Sequence, residues 1–260
     1  MSAASNLAGL YYPTNESTIW KKNLPWDPIP IHTIPYKDIA VIYPENICPK
    51  FEELYNSTLY SSYFKNVLQK HEAITTFIEK KTGWNIEELG YFETLYTVFY
   101  IYNMHNSSYL PEWADQIDMS ELNYLAGLHF SIGTFTTEMQ RLKIGPFFNN
   151  LHNYFDGIIN GTNPKFLMIS AHDETIASVL NSYGVYDYHL PEFAETIIWE
   201  LYKSANDDVY LRIYNKKCKD FKELDVKQCQ HQCSYDKYLE MMQSISVDSN
   251  QWKTECKGSV

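Results

Sequence analysis

Residues 165–182 read KFLMISAHDETIASVLNS, and the fold class follows from how this stretch is read. Phe166 to Ile169 form a short apolar run, the pattern of a buried strand. Ser170-Ala171-His172-Asp173 comes next, and Glu174 to Asn181 carry a helical pattern. A His-Asp pair therefore stands where a strand hands over to a helix, outside the carboxyl end of the strand, where open α/β sheets bind ligands. The competing reading is local: Asp173 caps the helix and His172 is a turn residue.

At 260 residues the chain has room for one large core, or a core and a subdomain. With 45% hydrophobic residues, 22 Tyr and only 10 Gly, it is globular rather than disordered. No apolar run reaches the ~18 residues of a membrane helix. A formal charge of −11 argues against nucleic acid and anionic membranes as partners, since both need a basic face. Arg141 and Arg212 are the only arginines.

Asn15, Asn56, Asn106 and Asn160 each begin a glycosylation sequon in what reads as a loop. Together with five cysteines they point to the secretory pathway. The N-terminus, MSAASNLAGLYYPTNES, has neither the basic nor the apolar region of a signal peptide.

Residues 2–12 read as a short helix with Leu7 and Leu10 on one face. Prolines 25, 28, 30 and 35 exclude helix, so Ile29 to Ile34 is at best an edge strand, with His32 a packing residue. From Cys48 to about residue 141 the pattern is helical. Pro49 starts one helix, with Glu52 and Glu53 in its first turn. Phe64, Val67, Leu68, His71, Ile74 and Ile78 form one stripe ending at Gly83. A second helix spans about Ile86 to Ile101, and a third follows Ser120 as N-cap. His71 and His129 fall on apolar faces as core histidines. Gly145-Pro146 opens a further helix through Ile158. Glu195 to Tyr202 and Val209 to Tyr214 form a hairpin about Ser204–Asp208, and Tyr235 to Ser244 a short helix. Cys229-x3-Cys233 with His231 lacks a second pair at zinc spacing, which favours a local disulfide over a metal.

These residues together carry a resemblance to the histidine acid phosphatases, in their prostatic, lysosomal and insect venom branch. It runs through Asn6-Leu-Ala-Gly-Leu-Tyr-Tyr-Pro13, Trp26-Asp-Pro-Ile-Pro-Ile-His-Thr-Ile-Pro35 and Cys48-Pro-Lys-Phe-Glu-Glu-Leu54. It continues in Leu110-Pro-Glu-Trp113, Ser170-Ala-His-Asp-Glu-Thr175, Leu190-Pro-Glu-Phe-Ala194 and Thr254-Glu-Cys256. The resemblance implies an α/β fold: a doubly wound sheet domain, first strand missing, made of residues 1–47 and 142–260, with a mostly helical domain inserted at 48–141. It implies Cys48–Cys256 and Cys229–Cys233 disulfides and leaves Cys218 odd. Relatives often hold a further pair where this chain has Ile101 and Thr196. It also implies a homodimer, and a secreted or lysosomal location.

The implied activity is metal- and cofactor-free hydrolysis of phosphomonoesters at acid pH through a phosphohistidine. Asp173 corresponds to the acid that protonates the leaving group, and His172 to a phosphate contact. Burial and neighbouring carboxylates are expected to keep Asp173 protonated in acid. The family's Arg-His-Gly-x-Arg-x-Pro run, which supplies the nucleophile and two phosphate-binding arginines, has no counterpart in these 260 residues. The sequence thus resembles the back two thirds of such an enzyme, starting at a late methionine. By itself it is expected to be inactive and prone to aggregate. The alternative is a non-catalytic secreted short form, or venom component, that acts as a binding protein.

Overall fold

A computed structural model describes residues 1–15, 19, 21–33, 44, 47–226, 229 and 233–257. Helix α1 (Ser2–Leu10) ends just before Pro13, whose ring disfavours helical backbone at Tyr12. Only Leu7 of its two leucines is buried; Leu10 is exposed. Residues 29–33 form no strand, and Ile34 and Pro35 lie outside the described residues. His32 is exposed, so it is not the packing residue its apolar neighbours suggest.

The helical layer begins with α2 (Pro49–Leu59), Pro49 standing at the first turn where its missing N–H costs nothing. The stripe from Phe64 to Ile78 is split into α3 (Ser62–Lys70) and α4 (Glu72–Thr82), with His71 at the joint. The His71 Nδ1 lies 2.6 Å from Glu121 Oε1, so this histidine spans two elements rather than filling a core. Gly83 closes α4 at φ 76°, a left-handed cap suited to glycine. Helix α5 (Gly90–His105) starts later than the apolar pattern suggests. Helix α6 (Met119–Ser131) is capped by Asp118, whose Oδ1 accepts from Ser120 N at 2.8 Å, so Ser120 lies inside the helix.

Helix α7 (Thr137–Ile159) is one continuous helix of 23 residues, and Gly145-Pro146 sits within it rather than at its start. Pro146 has no N–H for the Leu142 carbonyl. The Trp252 indole supplies the missing donor, Nε1 lying 2.8 Å from Leu142 O. A Cβ on Gly145 would come within 2.4 Å of Ile245 O, so glycine is needed for this close approach.

Helix α8 (Asp173–Ser182) leads to the sheet. Strands β1 (Thr196–Lys203) and β2 (Val209–Lys217) form the expected hairpin, pairing Thr196 with Lys216 through Lys203 with Val209. Strands β3 (Asp220–Glu223) and β4 (Cys233–Ser234) pair with successive stretches of β2. Helices α9 (Tyr235–Met242) and α10 (Ser249–Glu255) complete the chain. The fold is therefore mixed α/β, and the sheet among the described residues is antiparallel. Residues 166–169 are not a strand: Phe166 is 59% exposed and Leu167 and Ile169 are 43% exposed. An apolar run becomes a strand only with a partner for its ladder, and none of the four described strands pairs with it.

One core joins α7, α8, α9 and the sheet around Phe148, Tyr183 and Tyr238; a second fills α3 to α6 around Phe92, Leu122 and Leu125. Cys48, Phe51, Met139, Leu142, Trp252 and Cys256 form a third cluster. Cys48 is bonded to Cys256 and Cys229 to Cys233, each pair at a Cα separation of 4.7 Å, and Cys218 is free and exposed. His231 lies outside the described residues. No described helix is long and apolar enough to cross a membrane.

Candidate active site

The N-terminus of α8 gathers the sequence's candidate residues. His172 is the N-cap, in extended backbone at φ −121° and ψ 162°, and Asp173 is the first helical residue. This inverts the local sequence reading, in which Asp173 was the cap. The His172 carbonyl accepts from Thr175 N at 3.1 Å and Ile176 N at 3.2 Å, and its N–H faces Thr175 Oγ1 at 3.4 Å. Those bonds fix the turn because Thr175 is buried on α8. The Asp173 Oδ1 accepts from Glu174 N at 2.8 Å. Both His172 and Asp173 are exposed, so the burial expected around Asp173 is not supplied by the described residues. The positive end of the helix dipole and its first N–H groups favour an anion here.

The next residue is tied inward. The Glu174 Oε1 lies 3.0 Å from Lys143 Nζ on α7, and the Lys143 side chain is only 3% exposed. The same ammonium stands 5.6 Å from the centroid of the Phe51 ring. Lys143 was not singled out in the sequence, yet a signal exists: Met139, Lys143 and Phe147 recur every four residues on one buried face of α7. A lysine in such a row needs a partner.

Acidic groups on α5 and its approach face the same end. Burial, then the nearby charge of Asp173, raises the Glu93 carboxyl above its ordinary range. A cleft of about 420 Å³ lies here, lined by Trp84, Glu88, Tyr91, Glu93 and His129 among others. Burial lowers the His129 ring against the opposing charge of Glu88, whose Oε2 is 4.0 Å from Nε2. His129 is thus a cleft residue as well as a packing one. Glu93 was hidden in the sequence by the aromatic run around it.

Neither arginine serves this end. Arg141 holds Glu255 through Nε at 2.7 Å and Nη2 at 3.0 Å, and Nη1 reaches Ser246 O at 2.7 Å. It lines a larger cleft, about 530 Å³, with Lys50, Ser244 and Lys257. Neither cleft is lined by His172 or Asp173. Arg212 pairs with Glu223 across β2 and β3, Nε to Oε1 at 2.9 Å.

The sequons differ in setting. Asn106 accepts from Ser108 N at 3.1 Å in a local turn, and Asn160 ends α7. Asn56 lies within α2, not in a loop, because the helix begun at Pro49 runs on to Leu59. Asn15 is exposed, and the other residues of its sequon lie outside the described residues.

A family model described as the histidine phosphatase superfamily, branch 2, matches residues 1–216. Prostatic acid phosphatase of Bos taurus is 32% identical over 269 residues, covering 98% of this chain and 67% of the relative. Prostatic acid phosphatase of Rattus norvegicus is 30% identical, covering 100% of this chain and 69% of the relative. Lysosomal acid phosphatase of Xenopus laevis is 30% identical, covering 99% of this chain and 60% of the relative.

Proposed function

The chain belongs to branch 2 of the histidine phosphatase superfamily, and from that premise we propose that it carries the proton-donating half of an acid phosphatase site. The observation that carries the reading is the exposed His172-Asp173 pair at the N-terminus of the ten-residue helix α8. The substrate class is phosphomonoesters. In the proposed reaction a histidine attacks phosphorus in line and displaces an alkoxide, a poor leaving group unless protonated. Asp173 gives its proton to that oxygen. The His172 ring donates an N–H to a phosphate oxygen, and the end of α8 adds its dipole. Water then hydrolyses the phosphohistidine, with Asp173 now accepting the proton.

The attacking histidine and its arginine pair are not assigned to any residue here, since no Arg-His or His-Gly dipeptide occurs in the sequence. On this reading the 260-residue chain by itself has no turnover. Its two-part organisation, 1–47 with 142–260 and an inserted 48–141, belongs to the same proposal. The two disulfides and the exposed Asn15, Asn56, Asn106 and Asn160 support a secreted or lysosomal glycoprotein.

The test is p-nitrophenyl phosphate turnover at pH 5. A longer product of the same transcript with an Arg-His-Gly-x-Arg-x-Pro run should turn over, and Asp173→Asn should cost it ~10²–10⁴-fold. A longer product with no turnover would sink the phosphatase reading. Turnover by the 260-residue chain, abolished by Asp173→Asn, would sink the half-site reading.

A further inference from the structure

The loop between α8 and β1 carries a titratable cluster that the proposed chemistry does not use. It docks on two sides. Towards the helical layer, the Tyr186 hydroxyl lies 3.1 Å from Gly127 O, and Leu190 N donates to Asn123 Oδ1 at 2.9 Å. Within the loop, beside the sheet, the His189 ring is flanked on both nitrogens. Nδ1 meets Asp187 Oδ1, and Nε2 lies 3.0 Å from Glu195 Oε2 and 3.2 Å from Oε1. The Glu195 side chain is 0% exposed and also accepts from Asn215 Nδ2 at 2.9 Å and Glu192 N at 3.0 Å.

An imidazole between two carboxylates must donate from both nitrogens, and only the imidazolium does so. A neutral ring would turn a lone pair on one of them. The structure also holds a replacement: Lys217 Nζ on β2 lies 3.1 Å from His189 Nδ1 and 3.4 Å from Asp187 Oδ2. A neutral ring can therefore keep Nε2–H on Glu195 and accept from Lys217 at Nδ1. The groups facing the ring are Asp187 and Tyr186 from its own loop, Glu195 ahead of β1, and Lys217 from β2. The α6 contacts, Gly127 and Asn123, are neutral.

We infer that His189 is an acid-locked clamp: as imidazolium it ties Asp187 to Glu195, which Asn215 anchors to β2, and so fixes the α8–β1 loop on the sheet; on neutralisation it leaves Asp187 to Lys217, which already reaches it. In acid, two cations balance two carboxylates. Once the ring is neutral, one cation faces two carboxylates, one of them wholly buried. Burial alone would push the His189 ring down, but the hydrogen bonds and charges of Glu195 and Asp187 outweigh it and raise it above 6.5. Burial likewise pushes Glu195 up, and its bonds from His189 and Asn215 bring it below 4.5. The sign follows from linkage. The His189 contribution is complete below 6.5 and is lost as pH rises through the raised value; that of Glu195 is lost only as pH falls below 4.5. The clamp is strongest between those limits.

Ring NMR tests this directly, on the 260-residue chain or, where that aggregates, on the longer product that contains it, with the His189 signal assigned from its contact to the Tyr186 ring. The expected midpoint lies above 6.5, and Lys217→Met, which removes the like charge, raises it further. A midpoint at or below 6.5, or one that Lys217→Met leaves unmoved, would overturn the clamp. The Tm gap between wild type and His189→Gln should be wider at about pH 5.5 than at about pH 8, by ~3 °C. An equal gap at both would also overturn it. If His189→Gln does not fold, the wild-type and Lys217→Met midpoints still decide. None of these readouts needs phosphatase activity, so its absence leaves the clamp standing.

Discussion

Lys143 on α7 and Glu174 on α8 are paired at 3.0 Å, with the lysine buried and the glutamate 30% exposed. The pair fixes the turn that carries Asp173, and its two halves are unequal. Glu174→Ala removes a carboxylate from a buried ammonium, whereas Lys143→Met leaves a carboxylate that water can reach. Urea unfolding should find Glu174→Ala the more destabilising by ~1–3 kcal/mol. Equal losses would mean the lysine is not held by the glutamate.

Gly127 separates close approach from backbone strain. A Cβ there would fall 2.2 Å from Tyr188 O, so the backbone of one element or the other must move. Gly83 sits at φ 76° with open space around it. Gly127→Ala is expected to cost ~3 kcal/mol or more, and Gly83→Ala only ~1 kcal/mol. Denaturant midpoints of the two variants check the order.

His152 runs opposite to His189. Its Nε2 lies 3.3 Å from the Tyr238 hydroxyl, which bonds Tyr183 at 2.9 Å, and Trp199 Nε1 donates to Tyr183 at 2.8 Å. Burial lowers the His152 ring to about 4 from 6.5. The unfolded chain therefore takes up the proton first, and this residue's contribution is lost as pH falls from 6.5 towards 4, by up to ~3 kcal/mol. His152→Gln, which keeps a polar neighbour for Tyr238, should remove that slope. Chemical unfolding at about pH 4.5 and pH 7 measures it.

The two disulfides should differ in worth. Cys48–Cys256 closes a separation of 208 residues and Cys229–Cys233 one of 4. In the chain-entropy account the long bridge contributes ~5 kcal/mol and the short one much less. Cys256→Ala is accordingly expected to lower Tm ~2–3-fold more than Cys233→Ala in a calorimetric scan.

Asp173 should matter more as the leaving group becomes more basic. In an active longer product, Asp173→Asn is expected to slow alkyl phosphates by at least ~10-fold more than p-nitrophenyl phosphate, whose phenolate needs little help. Parallel losses for both substrates would assign Asp173 a binding role rather than a proton.

Much of this was legible in the sequence because its causes are local. The β1–β2 hairpin follows from alternating Val209, Leu211 and Ile213 about a Ser-Asn-Asp turn, and both bridges lie where the family resemblance puts them. The failures are tertiary. Phe166–Ile169 has strand composition, but a strand is a relation between two segments. Pro146 reads as a helix start until Trp252, far along the chain, donates to the carbonyl it leaves open. His71 looks like one more position on a stripe, whereas Glu121 holds it at a joint. At the candidate site, His172 and Asp173 are readable as a motif and Lys143 as a charge in a buried row, while Glu93 becomes visible only once α5 and α8 converge.

The Cys48–Cys256 bridge has a topological consequence. It makes everything between those cysteines a covalent ring, from which only the two ends of the chain protrude. A protease that cuts any loop inside the ring opens it without releasing a piece. The cut chain would migrate as one species on a non-reducing gel and as two once reduced. For a protein proposed to work among acid hydrolases, a nick then remains a local injury, with both sides of the cut still tethered at the third core.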